Sequence, residues 1–186
     1  MRNARSSPAR DHVPRPLNGE SLAELAIAYV GRFATTRAKL LRYLQRKLFE
    51  RGWDGGDNGQ PADPEAVAQS MVALGYIDDA AYATMKARAL GRKGFGVRRV
   101  AQALYGAGVG EADSAEAVAL ADAGRLSAAL RMAERRRWGP FAAEAEPDPA
   151  KREKMIAAYM RAGHDARLAR RILSLAPGAD LSDLEE

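Results

Sequence analysis

Cysteine is absent from the 186 residues, which excludes disulfides, thiolate chemistry and zinc sites with sulfur ligands. Histidine is almost missing too: His12 and His164 are the only two, which argues against a histidine-based metal site and against a Ser-His-Asp triad. Aromatic residues make up 6% of a chain that is 47% hydrophobic. With Ala abundant, that mix suits thin helical layers better than one thick core. No segment approaches the roughly 18 consecutive apolar residues of a membrane span, and no apolar signal region opens the chain. A soluble, cytoplasmic protein with no membrane contact is expected. No window alternates apolar and polar residues as a half-buried strand does, so the fold class predicted is all-α.

Glycine is locally dense. The run GRKGFGVRR, residues 91–99, combines three glycines with a lysine and three arginines and invites comparison with phosphate-cradling loops. A P-loop needs four residues between its glycines, followed by Lys and Ser or Thr. A dinucleotide loop needs a buried strand just upstream. Gly91, Gly94 and Gly96 meet neither condition, so the run is expected to be a turn between two helices, its charges on the outside.

Three segments repeat one pattern. LLRYLQRKLFERGW places Leu41, Leu44 and Leu48 on one helical face before Gly52, VRRVAQALYGAGV places Val97, Val100 and Leu104 before Gly108, and REKMIAAYMRAGH places Met155 and Tyr159 before Gly163. Gly is the residue type that closes a helix in the left-handed conformation. The three glycines recur 56 and 55 residues apart, as tandem units do. Helical runs precede each central helix (22–33, 80–90 and 126–137), and another follows it, with Pro64 suited to a first turn and Asp113 and Asp165 as candidate N-caps. The expected architecture is an elongated array of three tandem three-helix repeats over 20–77, 78–124 and 125–178. A disordered basic arm over 1–19 precedes it and an acidic tail over 179–186 follows. Residues 141–153, with proline and acids, are expected to form an extended loop.

The net charge of +5 conceals an alternation. Residues 21–53 carry seven basic and two acidic groups, 54–79 six acidic and no basic, 80–108 six basic and no acidic, and 109–124 four acidic. In the first central helix Lys39, Arg42 and Arg46 form a stripe opposite the leucine face. Arg88, Arg92, Lys93, Arg98 and Arg99 gather around the glycine turn, and Arg131, Arg135, Arg136 and Arg137 precede Trp138. Single surface charges are usually no more than solvated. A basic ribbon that follows the repeat is what a long polyanion, or a filament carrying one, would select, and these twelve residues are the candidate contact set. Phe33, Phe95, Trp138 and Phe141 stand beside the clusters, either to seal helix contacts or to stack on bases. Asp78 and Asp79 are expected to be an N-cap and a first-turn acid rather than a two-carboxylate site. His164, after a helix-closing glycine, is expected to cap or to lie on the surface.

Residues 74–109, LGYIDDAAYATMKARALGRKGFGVRRVAQALYGAGV, resemble the central signature of the RecX family, bacterial regulatory proteins that bind RecA. The carrying motifs are GYIDD at 75–79, Tyr82-Ala83, RKGFG at 92–96, VRRV at 97–100 and GAGV at 106–109. Val97 stands where the family most often has proline. The resemblance implies a crescent of three three-helix repeats lying in the groove of the RecA–DNA filament and interfering with its extension, strand exchange and coprotease function. It implies RecA on single-stranded DNA as the partner, no enzyme activity and no cofactor; a monomer is expected, and the residues leave open whether it also binds DNA directly and weakly. Two other classes stay open on the residues alone. One is a helix-turn-helix reader of duplex DNA, although no helix stands out as a recognition helix. The other is a hydrolase or transferase, although no nucleophile is paired with a base.

Overall fold

The computed structural model describes residues 15–55, 59–181 and 184. Among them the regular structure is helical, apart from a lone bridge between Leu17 and Trp53.

The first repeat holds α1 (Gly19–Val30), α2 (Arg37–Arg51) and α3 (Pro64–Ala73). Asn18 and Ser21 form a capping box at the start of α1, each side chain accepting the other's backbone N–H at 2.9 Å. Thr36 caps α2, and Asp63 caps α3 with Pro64 at its first position. Leu40 and Leu44 of α2 are wholly buried, packing with Leu22, Met71 and Ile77, while Leu41 and Leu48 are half-buried flanks of the same cluster. The centre of the α2 face is therefore one residue away from where the leucine spacing alone puts it.

The second repeat is α4 (Asp79–Arg92), α5 (Val97–Ala107) and α6 (Glu111–Ala123). Asp78 caps α4 by accepting the Ala81 N–H at 2.7 Å. The cap of α6 is Gly110, and Asp113 lies inside the first turn. The expected Asp113 cap is thus displaced by three residues, because the chain turns into the helix directly after Val109. The core of this repeat is built on Ala83, Ala87, Ala107 and Ala117 around Val100, Leu104 and Tyr82. Small side chains let α4 and α6 lie close together, the most extensive helix pair of the fold.

α7 (Arg125–Arg136) continues from α6 through Gly124, and α8 (Pro149–Arg161) and α9 (Ala166–Ser174) complete the third repeat. Its core gathers Met132, Ile156, Tyr159 and Ile172, with Trp138 and Phe141 packed at the edge. Arg137 ends α7 at φ 55° and is the one non-glycine residue described at positive φ. Pro140 and Phe141 belong to a short 3-10 turn, Gly139–Phe141. The expected loop over 141–153 is shorter than foreseen: residues 149–153 already form the first turn of α8, because Asp148 caps it and Pro149 opens it.

Two of the sequence expectations at the chain ends change. Residues 1–14 of the expected arm lie outside the described residues, but 15–19 are folded. Leu17 is wholly buried in the first cluster, and its N–H and C=O bond to the Gly52 carbonyl and the Asp54 N–H at 2.9 and 3.0 Å. Burying one leucine stabilises by about 2 kcal/mol, enough to hold a short strap in place. At the other end Leu184 of the expected tail is buried in the third cluster. Residues 182, 183, 185 and 186 lie outside the described residues.

Candidate partner-binding surface at the repeat junctions

The central helices α2, α5 and α8 are joined by one kind of junction, used twice. The start of each docks on the closing glycine of the next. At the first junction Thr36 Oγ donates to the Ala107 carbonyl at 2.6 Å. The Gly108 Cα comes so close to Ala38 that an added Cβ would stand 2.3 Å from the alanine methyl. The Arg37 N–H reaches across to Asp79 Oδ1 at 3.0 Å, and Arg37 also pairs with Glu65. Asp79 is thus more than a first-turn acid: it ties two repeats together. Its carboxyl is pushed up by burial, partly offset by the bond from Arg37.

At the second junction the Gly96 N–H donates to the Ala162 carbonyl at 2.9 Å and the Arg98 N–H to the Gly163 carbonyl at 3.2 Å. The glycine turn of the second repeat is therefore an interlock with the third. Gly94 adopts φ 74° and lies against the backbone of Ala128 and Met132, a site only glycine fits without strain. His164 is buried here rather than exposed, its Nε2 3.0 Å from the Gly94 carbonyl. Its Nδ1 has no hydrogen-bond partner among the described residues. Burial holds the imidazole below the usual histidine range, only partly opposed by the Gly94 bond. Tyr159, five residues earlier, packs edge-on against the ring, but the hydrogen-bond partner that draws it inward, Gly94, lies 70 positions away.

These junctions decide where the candidate cations go. Lys39 is drawn out of the solvent stripe: it is half-buried at the first junction, bonded to the Tyr82 hydroxyl and 4.5 Å from that ring's centre. The reason is that the second repeat covers this side of α2. Arg42 and Arg46 remain exposed, Arg46 pairing with Glu50 at 3.5 Å.

The cluster expected around the turn is divided. Arg88, Arg92 and Arg131 line one groove, of about 260 Å³, between α4 and the α6–α7 segment, and among the described residues no carboxylate lines it. Two arginines of the third repeat are fixed to the turn itself: Arg131 donates to the Gly91 carbonyl at 3.3 Å and Arg135 to the Lys93 carbonyl at 2.7 Å. Lys93 is exposed beside them. Arg98 faces another groove, of about 570 Å³, together with Arg125, Arg167 and Arg171 from the third repeat and Asp122 and Asp165. Asp165 caps α9, and its bonds from the Arg167 and Leu168 N–H groups, helped by Arg98, hold its carboxyl below the ordinary range. Arg99 bonds Gln102 at 2.9 Å and lies 6.0 Å over the Phe95 ring. Arg136 covers the Trp138 ring at 5.3 Å, and Arg137 serves as a helix stop.

Arg125, Arg167 and Arg171 are missing from the candidate set drawn from the sequence. The signal was available in ARLARRIL, which puts Arg167, Arg170 and Arg171 three and four residues apart. Of the four aromatics beside the basic clusters, Trp138 and Phe141 pack into the third core and Phe33 is 58% exposed. No group of His, Cys, Asp and Glu among the described residues is arranged to hold a metal ion, and no helix described is long and apolar enough to cross a membrane.

Residues 78–118, within the second repeat, match the family model described as RecX, second three-helix domain. Over 174 residues the sequence is 32% identical to the regulatory protein RecX of Myxococcus xanthus (strain DK1622), covering 88% of this chain and 90% of that protein. The chain belongs to the RecX family. Two solved RecX structures share its fold. RecX from Lactobacillus salivarius superposes with a TM-score of 0.59 over 82% of this chain and 92% of that one, at 16% identity. A second regulatory protein RecX gives 0.60 over 82% and 70%, at 18% identity. At such identities the agreement speaks for the RecX fold of tandem three-helix repeats and for nothing finer.

Proposed function

We propose that this protein binds the RecA–DNA filament in the cytoplasm and modulates RecA, mainly by inhibiting its recombinase, ATPase and coprotease activities in recombination, DNA repair and the SOS response. It acts in this reading as a monomer, as a binding protein rather than an enzyme, with repeats over 20–77, 78–124 and 125–178. Membership of a family whose relatives are named regulatory proteins supports the regulatory role. The observation that carries the contact is the groove of Arg88, Arg92 and Arg131, in which cations from two repeats converge with no carboxylate among the lining residues. Arg135 and Lys93 extend it along the turn. With Glu116 the one acid beside Arg88 and Arg92 in the adjoining groove, cations outnumber acids on this surface, which attracts a nucleoprotein filament by its positive charge and binds more weakly as salt is added.

The test is a pull-down with RecA assembled on single-stranded DNA, set against RecA alone and DNA alone. Retention by the assembled filament well above either component, together with slowed RecA strand exchange, is the expected result. Equal retention by bare DNA and by filament would point to a general nucleic-acid binder instead.

A further inference from the structure

Each central helix displays a large apolar side chain three residues before its closing glycine: Phe49 before Gly52, Tyr105 before Gly108 and Met160 before Gly163. All three are exposed, Phe49 at 93% and Tyr105 at 86%, so they do little for the core. Seven residues earlier on the same helical face, two turns or about 10 Å away, the first two repeats place Arg42 and Arg98, whereas the third places Glu153. The first two repeats thus share a cation-and-ring pair that the third lacks.

The first junction brings the two pairs together. The Arg42 guanidinium lies 3.5 Å from where a Cβ on Gly108 would stand, one turn beyond Tyr105. Arg46 sits one turn before Phe49. The order along the surface is therefore Phe49, Arg46, Arg42, Tyr105, Arg98, two rings with arginines between and beyond them across two repeats. Glu50, beside Phe49, is held by Lys47 at 2.6 Å and by Arg46. Phe49 is the only exposed large apolar residue on α2, and Tyr105 the only one on α5. Lone rings set among charges lack the contiguous apolar patch a protein partner needs. They suit a flexible polyanion whose own flat faces can stack, one at a time, while its charges meet the arginines.

We propose that Phe49 and Tyr105 are stacking platforms for the bases of a single-stranded nucleic acid, whose backbone runs over Arg46, Arg42 and Arg98 across the first two repeats. The assignment rests on the filament reading for its setting, since such a filament carries a single strand, and it fails separately from it. The test uses the full chain and a fluorescent oligodeoxythymidylate of about 20 nucleotides, followed by anisotropy. Phe49→Leu and Tyr105→Leu keep an apolar side chain but remove the ring, and each is expected to weaken binding at least about fivefold. Met160→Leu and binding to a duplex of equal length should change less than about twofold, and unaltered circular dichroism shows that the variants are folded. With bromodeoxyuridine in the strand, irradiation should cross-link to Phe49 or Tyr105. Unchanged affinity in both ring variants overturns the proposal, as does an equal loss on duplex. Wild-type protein that binds RecA filaments but not the oligonucleotide overturns it while leaving the filament reading intact. Wild-type protein that binds the oligonucleotide through these rings and ignores filaments sinks only the filament reading. Ring variants that lose filaments yet keep the oligonucleotide make the rings a protein contact, against the proposal.

Discussion

A Cβ added to Gly96 would stand 2.4 Å from the Gly163 carbonyl oxygen and 2.7 Å from the His164 nitrogen, whereas one added to Gly91 would meet nothing within 4 Å. The obstacle at Gly96 is backbone, which cannot swing aside as a side chain can. Gly96→Ala should therefore cost about 1–3 kcal/mol. Gly91→Ala, inside α4, should leave stability unchanged or raise it by up to about 1 kcal/mol, because alanine loses less conformational freedom in a helix. Urea unfolding of the two variants checks the pair, and opposite signs are expected. His164, in the same interlock, makes the junction sensitive to acid. Burial holds its folded-state pKa below the unfolded value of about 6.5. As pH falls below that value the unfolded chain takes up a proton before the folded one does, so stability falls with it. Above it, His164 contributes no pH dependence. Between pH 7.5 and 5.5 wild-type protein should lose more stability than His164→Asn, measured by urea midpoints at both pH values.

At the scale of the helix, Thr36 has two tasks. Its hydroxyl accepts the Lys39 N–H at 3.2 Å, which caps α2, and donates to the Ala107 carbonyl across the first junction. Thr36→Val keeps the shape and removes both bonds, leaving a buried carbonyl without its donor. A loss of about 2 kcal/mol is expected, with Thr36→Ser close to wild type, by thermal or chemical denaturation. Leu104 and Leu48 occupy the same register four residues before a closing glycine, yet they differ in depth. Leu104 is 1% exposed, while Leu48 is a half-buried flank. Leu104→Asp should unfold the second repeat, because a carboxylate there has neither water nor a partner. Leu48→Asp should be milder, since its carboxylate can reach solvent. Loss of helical circular dichroism in the first variant and its retention in the second is the expected pattern.

Across the whole molecule, the cations fall into separate surfaces because α6 and α7 run between the two sides of the glycine turn. The groove of Arg88, Arg92 and Arg131 can be reversed in sign without touching either junction's buried bonds, apart from the single long contact from Arg131 to Gly91. Replacing all three by Glu should leave the fold standing while weakening retention by RecA filaments at least about tenfold at low salt, and wild-type retention should decline steeply as salt is raised. A folded triple variant that slows strand exchange at wild-type concentrations would remove this groove from the mechanism and direct attention to the groove of Arg98, Arg125, Arg167 and Arg171.

The three-helix repeat, the glycine stops and the caps Asp78 and Asp165 were legible in the sequence, because each depends on residues within one or two turns of one another. Asn18 and Ser21 were not singled out, but Asp78, Asp165 and Pro64 stand where local capping chemistry puts them, and Asp113 missed only through a one-turn shift of the helix start. The resemblance over residues 74–109 pointed to the RecX family for a similar reason: it is carried by a contiguous stretch. What lay beyond reach was everything decided by approach across 40 to 70 positions. Tertiary packing alone turned Lys39 onto Tyr82, buried His164 against Gly94 and made Gly96 and Gly163 an interlock rather than a turn and a separate helix stop. It also parted Arg92 from Arg98 and carried Arg42 to the end of α5. Periodicity fixes which face of a helix is apolar. Which other helix covers that face, and which charges are left uncovered, is set by close contact between backbones that the local pattern does not encode.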